Sequence, residues 1–156
     1  MTEDCALCAG TEMDGALMRT EVWSDNLWRL TTAEVTEVAG FSYLEPRRHI
    51  TDLTDLSGPE AASLGTTLAK ASNAIKTATG ADLVYVYIFG DDIPHFHVHL
   101  APHRYNSSPL VSDMIKGAKS KSHLPDGTEV WSSDRYPLVD PEIAHAAIVD
   151  IGKAMR

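Results

Sequence analysis

Apolar and polar positions alternate in short runs over the first third of the chain. Glu21–Ser24 and Leu27–Thr32 carry Trp23, Trp28 and Leu30 on either side of a polar Asp25-Asn26 turn, which predicts a β-hairpin. Within Phe41–Pro46, Phe41, Tyr43 and Glu45 alternate with Ser42 and Leu44, predicting a third strand. The period then lengthens. Leu64, Leu68, Ala71, Ile75 and Ala78 recur at three- and four-residue intervals up to Gly80, and Ser57-Gly58-Pro59-Glu60 has capping-box spacing, so a helix is predicted from Ser57. The Val-, Tyr- and Ile-rich run Asp82–Phe89, the turn Gly90-Asp91-Asp92 and a strand from His95 to Leu100 predict a second hairpin. Residues 105–136 are rich in Ser, Pro, Gly and Lys and read as an extended or partly mobile segment. Asp140-Pro141-Glu142 marks a terminal helix with the stripe Ile143, Ala147, Ile151 and Met155, which packs on its own domain or on a partner chain. This order predicts an α+β fold, with a mainly antiparallel sheet of about five strands, one main helix and a C-terminal helix.

A chain of 156 residues, 44% of them hydrophobic, can bury one core, so residues 1–156 are expected to form a single domain. The formal net charge of -9 argues against a nucleic acid polymer as partner, because a phosphate backbone needs a broad basic surface. A small phosphorylated ligand needs only a local cluster of donors. With no basic leader before an apolar run, and no stretch near the roughly 20 apolar residues of a membrane span, the expectation is a cytoplasmic protein without a membrane partner. Cys5 and Cys8 are too close in sequence to staple the fold; their spacing points to metal binding or thiol redox chemistry.

The segment richest in chemistry is Pro94-His95-Phe96-His97-Val98-His99-Leu100-Ala101-Pro102. In a strand, His95, His97 and His99 would face one way, each about 7 Å from the next, while Phe96, Val98 and Leu100 anchor the other face. An affinity tag does not account for a run that is internal and interleaved with large apolar residues. Two readings follow: imidazoles can bind zinc, or one can attack phosphorus and leave again once protonated.

His95 to Ala101 resembles the signature of the histidine-triad (HIT) family, His-φ-His-φ-His-φ-φ with φ apolar. Pro46-Arg47-Arg48-His49-Ile50-Thr51-Asp52-Leu53-Thr54-Asp55-Leu56 is similar to the family's Pro-Lys-Arg-His-x-x-x-Leu-x-Asp-Leu segment, and Cys5-Ala6-Leu7-Cys8 resembles the cysteine pair of its zinc-containing bacterial members. The resemblance implies a domain core over about residues 5–104 and a C-terminal extension whose helix covers about 140–155. It also implies His97 as nucleophile, His99 as the group that contacts phosphate and assists the leaving group, and a structural zinc ion held by Cys5, Cys8, His49 and His95. A homodimer is the implied assembly. Many members carry a histidine where this chain has Phe41, and Gly-Gln-Ser where it has Gly90-Asp91-Asp92. Gly90 in that turn, Glu34 near the end of the second strand and Arg104 after the triad strand are the candidates for further substrate contacts. His103 and Arg104 reach phosphate or are simply solvated; Trp23 and Trp28 wall a base pocket or fill the core. Lys116, Lys119 and Lys121 form a small basic cluster expected on a solvated face, and His123 and His145 are expected at the surface.

The implied activity is hydrolysis of a nucleoside phosphoramidate or dinucleoside polyphosphate through a covalent nucleotidyl-His97. A nucleotidyltransferase of the galactose-1-phosphate uridylyltransferase type is an alternative, although such enzymes usually carry glutamine at the position of His99. Another is a catalytically inactive, zinc-stabilised nucleotide-binding module.

Overall fold

A computed structural model describes residues 4–105, 120–132 and 137–156. After a single helical turn, α1 (Thr11–Asp14), the hairpin β1 (Arg19–Ser24) and β2 (Trp28–Ala33) forms as the alternation predicts. Asp25 closes its turn by accepting from the amides of Leu27 and Trp28. Strand β3 (Ser42–Pro46) follows, then a 3-10 turn over Leu53–Asp55, the long helix α2 (Gly58–Thr79), β4 (Leu83–Tyr87) and β5 (Val98–His103). The hairpin β6 (Ser120–His123) and β7 (Glu129–Ser132) and the terminal helix α3 (Pro141–Ala154) complete the described elements. Five strands make one antiparallel sheet in the order β1-β2-β3-β5-β4.

The register gives this sheet two unlike faces. Trp28, Leu30, Leu44, Val98 and Leu100 meet Ala71 and Ile75 of α2 and Ile151 and Met155 of α3 in the main core. On the opposite face the pairing aligns Arg29 with Glu45, Thr31 with Tyr43, and Tyr43 with His99. Trp28 is therefore a core residue, its indole N–H donating to Ser63 Oγ at 2.8 Å, and Trp23 packs against the same cluster with Lys70 over its ring.

Several expectations shift. Ser57 precedes α2 as predicted, but its side chain makes no capping bond. Glu60, the other half of that box, is buried and accepts instead from Arg48 Nε at 3.1 Å. In the stripe of α3, Ala147, Ile151 and the following Met155 are buried as expected, Ala144 and Ile148 join them and Ile143 is exposed; the helix packs on α2, β1 and β2 of its own chain. The segment expected to be extended holds the β6–β7 hairpin, with Leu124 buried beneath it. Lys121 pairs with Glu129 at 2.6 Å, while Lys116 and Lys119 lie outside the described residues.

The triad strand also begins late, at Val98 rather than His95. Leu44 faces Val98, so Pro46 falls opposite Phe96, and a proline has no N–H to continue the ladder. The amides of His95 and Phe96 turn away to the carbonyls of Ile93 (2.7 Å) and Ile50 (2.6 Å). One glycine is demanded by packing: Gly40 has φ +90, and a Cβ there would meet Thr79 Cγ2 at 2.6 Å.

Candidate functional site

The interrupted ladder orients two imidazoles. The carbonyl of Pro46, with no strand partner, accepts from His95 Nε2 at 2.8 Å. A carbonyl can only accept, so the proton of His95 sits on Nε2 and the lone pair of Nδ1 is left for a second partner. That Nδ1 lies 3.4 Å from Cys8 Sγ and 3.5 Å from Cys5 Sγ, and His49 Nδ1 lies 3.2 Å from Cys8 Sγ. The four ligand atoms of Cys5, Cys8, His49 and His95 fall within 4.8 Å of one another, a group that could hold a metal ion. Bond lengths of roughly 2.3 Å to sulfur and 2.0–2.1 Å to nitrogen give a tetrahedral zinc shell an S–N edge of about 3.6 Å. The observed spacings of 3.2–3.5 Å are close to that edge. Burial pushes the pKa of His95 down and keeps the ring neutral, as a ligand must be. Burial, then its neighbour Cys5, pushes the Cys8 thiol up to about 12, so a proton stays on that sulfur unless a cation replaces it.

The same turn sets His97. Its Nδ1 lies 2.6 Å from the carbonyl oxygen of His95 and must donate to it, which in the neutral ring leaves Nε2 with the lone pair. His99 is the neighbouring ring, with centroids 5.1 Å apart. It is held among aromatic side chains: Tyr87 stacks on it at 4.7 Å and 4°, Tyr43 meets it edge-on at 5.3 Å, and Phe41 lies at 6.1 Å. Burial raises both phenols, Tyr43 to about 12, so both remain neutral donors at physiological pH.

His97 and His99 open on a cavity of about 400 Å³, within the range of small-molecule sites. Tyr43, Asp92 and Arg19 are among its polar lining residues, and Leu7, Leu17, Leu124 and Val130 contribute apolar lining. Arg19 is held for its own reasons: Nε donates to Asp14 at 3.0 Å and the other two nitrogens grip Glu45 at 2.9 and 3.0 Å. Arg29 bridges the same two carboxylates and adds Glu21 at 2.6 Å. This buried network of two guanidiniums and three carboxylates ties the N-terminal segment, through Asp14, to the polar face of the sheet.

The remaining candidates are more scattered. Gly90 is exposed, with φ +80, and it is Asp92 of that turn that lines the cavity. Glu34 is exposed between two lining residues, Ala33 and Val35, and accepts from the Thr20 hydroxyl. Arg104 lies beyond the far end of β5 and donates to the carbonyl of Thr79, closing the end of α2 instead of meeting His97. His103 stacks on Tyr85 at 4.7 Å. His145 is exposed, whereas His123, expected only at the surface, sits on the rim of the cavity beside Ser122. The buried charges escaped sequence reasoning; their one signal was Arg19, Glu21, Arg29 and Glu45 standing inside strand runs.

No family profile and no curated protein matches the chain. Solved structures do. A hypothetical histidine triad nucleotide-binding protein from Sulfolobus tokodaii is 19% identical over 97% of this chain and 91% of that one, with a TM-score of 0.65. A zinc-bound histidine triad family protein from Mycobacterium smegmatis is 17% identical over 99% and 95% of the two chains, also at 0.65. A HIT-like protein involved in cell-cycle regulation from Bartonella henselae is 14% identical over 92% and 93%, at 0.62. The chain therefore has the fold of the histidine-triad proteins, and it carries their signature from His95 to Ala101.

Because Glu45 faces two buried guanidiniums, Glu45→Gln is expected to lower stability by roughly 3–5 kcal/mol in urea unfolding. A loss below about 1 kcal/mol would show that the network contributes little.

Proposed function

We propose that this chain is a nucleotide hydrolase of the histidine-triad class, acting on nucleoside phosphoramidates or dinucleoside polyphosphates. The observation that carries the proposal is the 2.6 Å contact from His97 Nδ1 to the His95 carbonyl, which leaves the opposite nitrogen of the ring basic and beside the cavity. His97 Nε2 attacks the α-phosphorus, and the P–N or P–O bond to the leaving group breaks as that group takes up a proton. Water then attacks the nucleotidyl-His97, releasing a nucleoside monophosphate and restoring the ring. His99, one ring away, is the group that meets the phosphate, its tyrosine partners keeping its orientation.

Incubation with adenosine 5′-phosphoramidate and with a diadenosine polyphosphate tests the proposal. Turnover is expected to fall by at least about 10³-fold in His97→Ala, as for loss of a nucleophile, and to persist in His145→Ala. Tight nucleotide binding without turnover in the unaltered protein would point instead to an inactive binding module, in which Phe41 and the Gly90-Asp91-Asp92 turn have replaced groups that many histidine-triad proteins carry.

The cation at Cys5, Cys8, His49 and His95 is inferred to be zinc, on the donor set and its spacing. Four protein ligands leave no position for substrate, so its role is structural. A reducing compartment such as the cytoplasm suits a site that uses both cysteines as thiolates, and among the described residues no helix is long and apolar enough to cross a membrane. A homodimer is inferred from β4, an edge strand of the sheet, where Val86, Ile88 and Phe89 are exposed around its end. Native mass spectrometry is expected to find a dimer with one zinc per chain; a metal-free monomer would refute both statements.

A further inference from the structure

The N-terminal segment takes part in two sites at once. Cys5 and Cys8 belong to the metal-ligand set. The residues between and around them form a second core, apart from the main one, in which Cys5, Ala6 and Leu7 are buried with Ile93 and Leu124, and Leu17 and Val130 pack against them. Five of these side chains, Leu7, Leu17, Ile93, Leu124 and Val130, also line the cavity of His97 and His99. The apolar wall of the substrate cavity and the outer layer of the metal site are thus one small cluster. It is built from a run of turns around α1 and a two-stranded hairpin, neither of which has a large core of its own.

We propose that metal at Cys5, Cys8, His49 and His95 and a nucleoside monophosphate in the cavity bind with positive linkage, because the metal orders the apolar wall on which the planar base rests. The proposal rests on the nucleotide reading above, and it adds that Leu7, Leu17, Leu124 and Val130 set the affinity for the base while His97 and His99 meet the phosphate. A bound metal fixes Cys5 and Cys8 against His49 and His95, hence Ala6 and Leu7, and these support Leu124 and the β6–β7 hairpin. Without it, ordering that cluster is a cost that nucleotide binding must meet. Linkage is reciprocal: whatever factor the metal contributes to nucleotide affinity, the nucleotide returns to metal affinity. The rival anchor is Asp14, whose bonds to Arg19 and Arg29 would hold the segment whether or not metal is bound.

The test is the zinc affinity of the full-length protein, measured by chelator competition with and without saturating adenosine 5′-monophosphate. The nucleotide's own binding to the zinc-loaded protein is followed by calorimetry. Zinc is expected to bind about 10-fold more tightly with the nucleotide present, within the usual range of coupling between sites. Leu124→Ala, which removes a wall side chain that is neither a metal ligand nor a triad histidine, is expected to weaken nucleotide binding and bring that factor towards one. Equal zinc affinity in the two conditions, with the nucleotide bound, overturns the linkage and assigns the wall to Asp14, leaving the hydrolase reading intact. Failure of the zinc-loaded protein to bind the nucleotide overturns both.

Discussion

Everything distinctive about this molecule turns on the carbonyl group of Pro46. A proline at the end of β3 has no N–H for the ladder, so the chain opposite it cannot remain a strand partner, and the freed carbonyl takes the Nε2 proton of His95. One hydrogen bond thereby decides which nitrogen of His95 faces the cysteines. The irregular turn it permits also presents the carbonyl of His95 to His97 Nδ1. The metal-ligand set and the candidate nucleophile are consequences of the same break in a sheet. They share a residue, His95, whose ring serves one and whose backbone serves the other.

The two-faced sheet explains why such a site can exist in a small domain. One face carries the apolar core under α2 and α3. The other holds charges and rings that would be costly there if unpaired: Arg19 and Arg29 are locked among Asp14, Glu21 and Glu45, and His99 is wedged among tyrosines and Phe41. The Phe41 side chain, standing where many histidine-triad proteins have another histidine, takes a packing role against His99. Asp92 and Arg19 place one acidic and one basic group on the lining of the cavity beside the imidazoles.

How far these features could be read in advance depended on whether their cause was local. The β1–β2 hairpin, β3 and α2 follow from periodicity and turn chemistry within a few residues, and they stand where the pattern places them. The grouping of Cys5, Cys8, His49 and His95, which could hold a metal ion, was legible through the resemblance to zinc-containing histidine-triad proteins. Features set by distant partners were not legible. Glu60 leaves its cap for Arg48, and at the start of α3 Ala144 rather than Ile143 faces the core. The triad strand starts late because of Pro46, about fifty positions earlier in the chain. The β6–β7 hairpin was hidden by a polar composition that resembles a loop; among its described side chains Leu124 and Val130 pack inward, against the N-terminal segment rather than the main core.

The contact with the His95 carbonyl gives the neutral His97 ring one tautomer, with its proton on Nδ1 and its lone pair on Nε2. Nitrogen-15 NMR of the histidine rings in the resting protein, with His97 assigned by its loss in His97→Gln, reads this directly. The expected result is a protonated Nδ1 and a bare Nε2 in the neutral ring. A proton on Nε2 with a bare Nδ1 would contradict it, since the ring could then neither donate to the His95 carbonyl nor attack phosphorus from the cavity side.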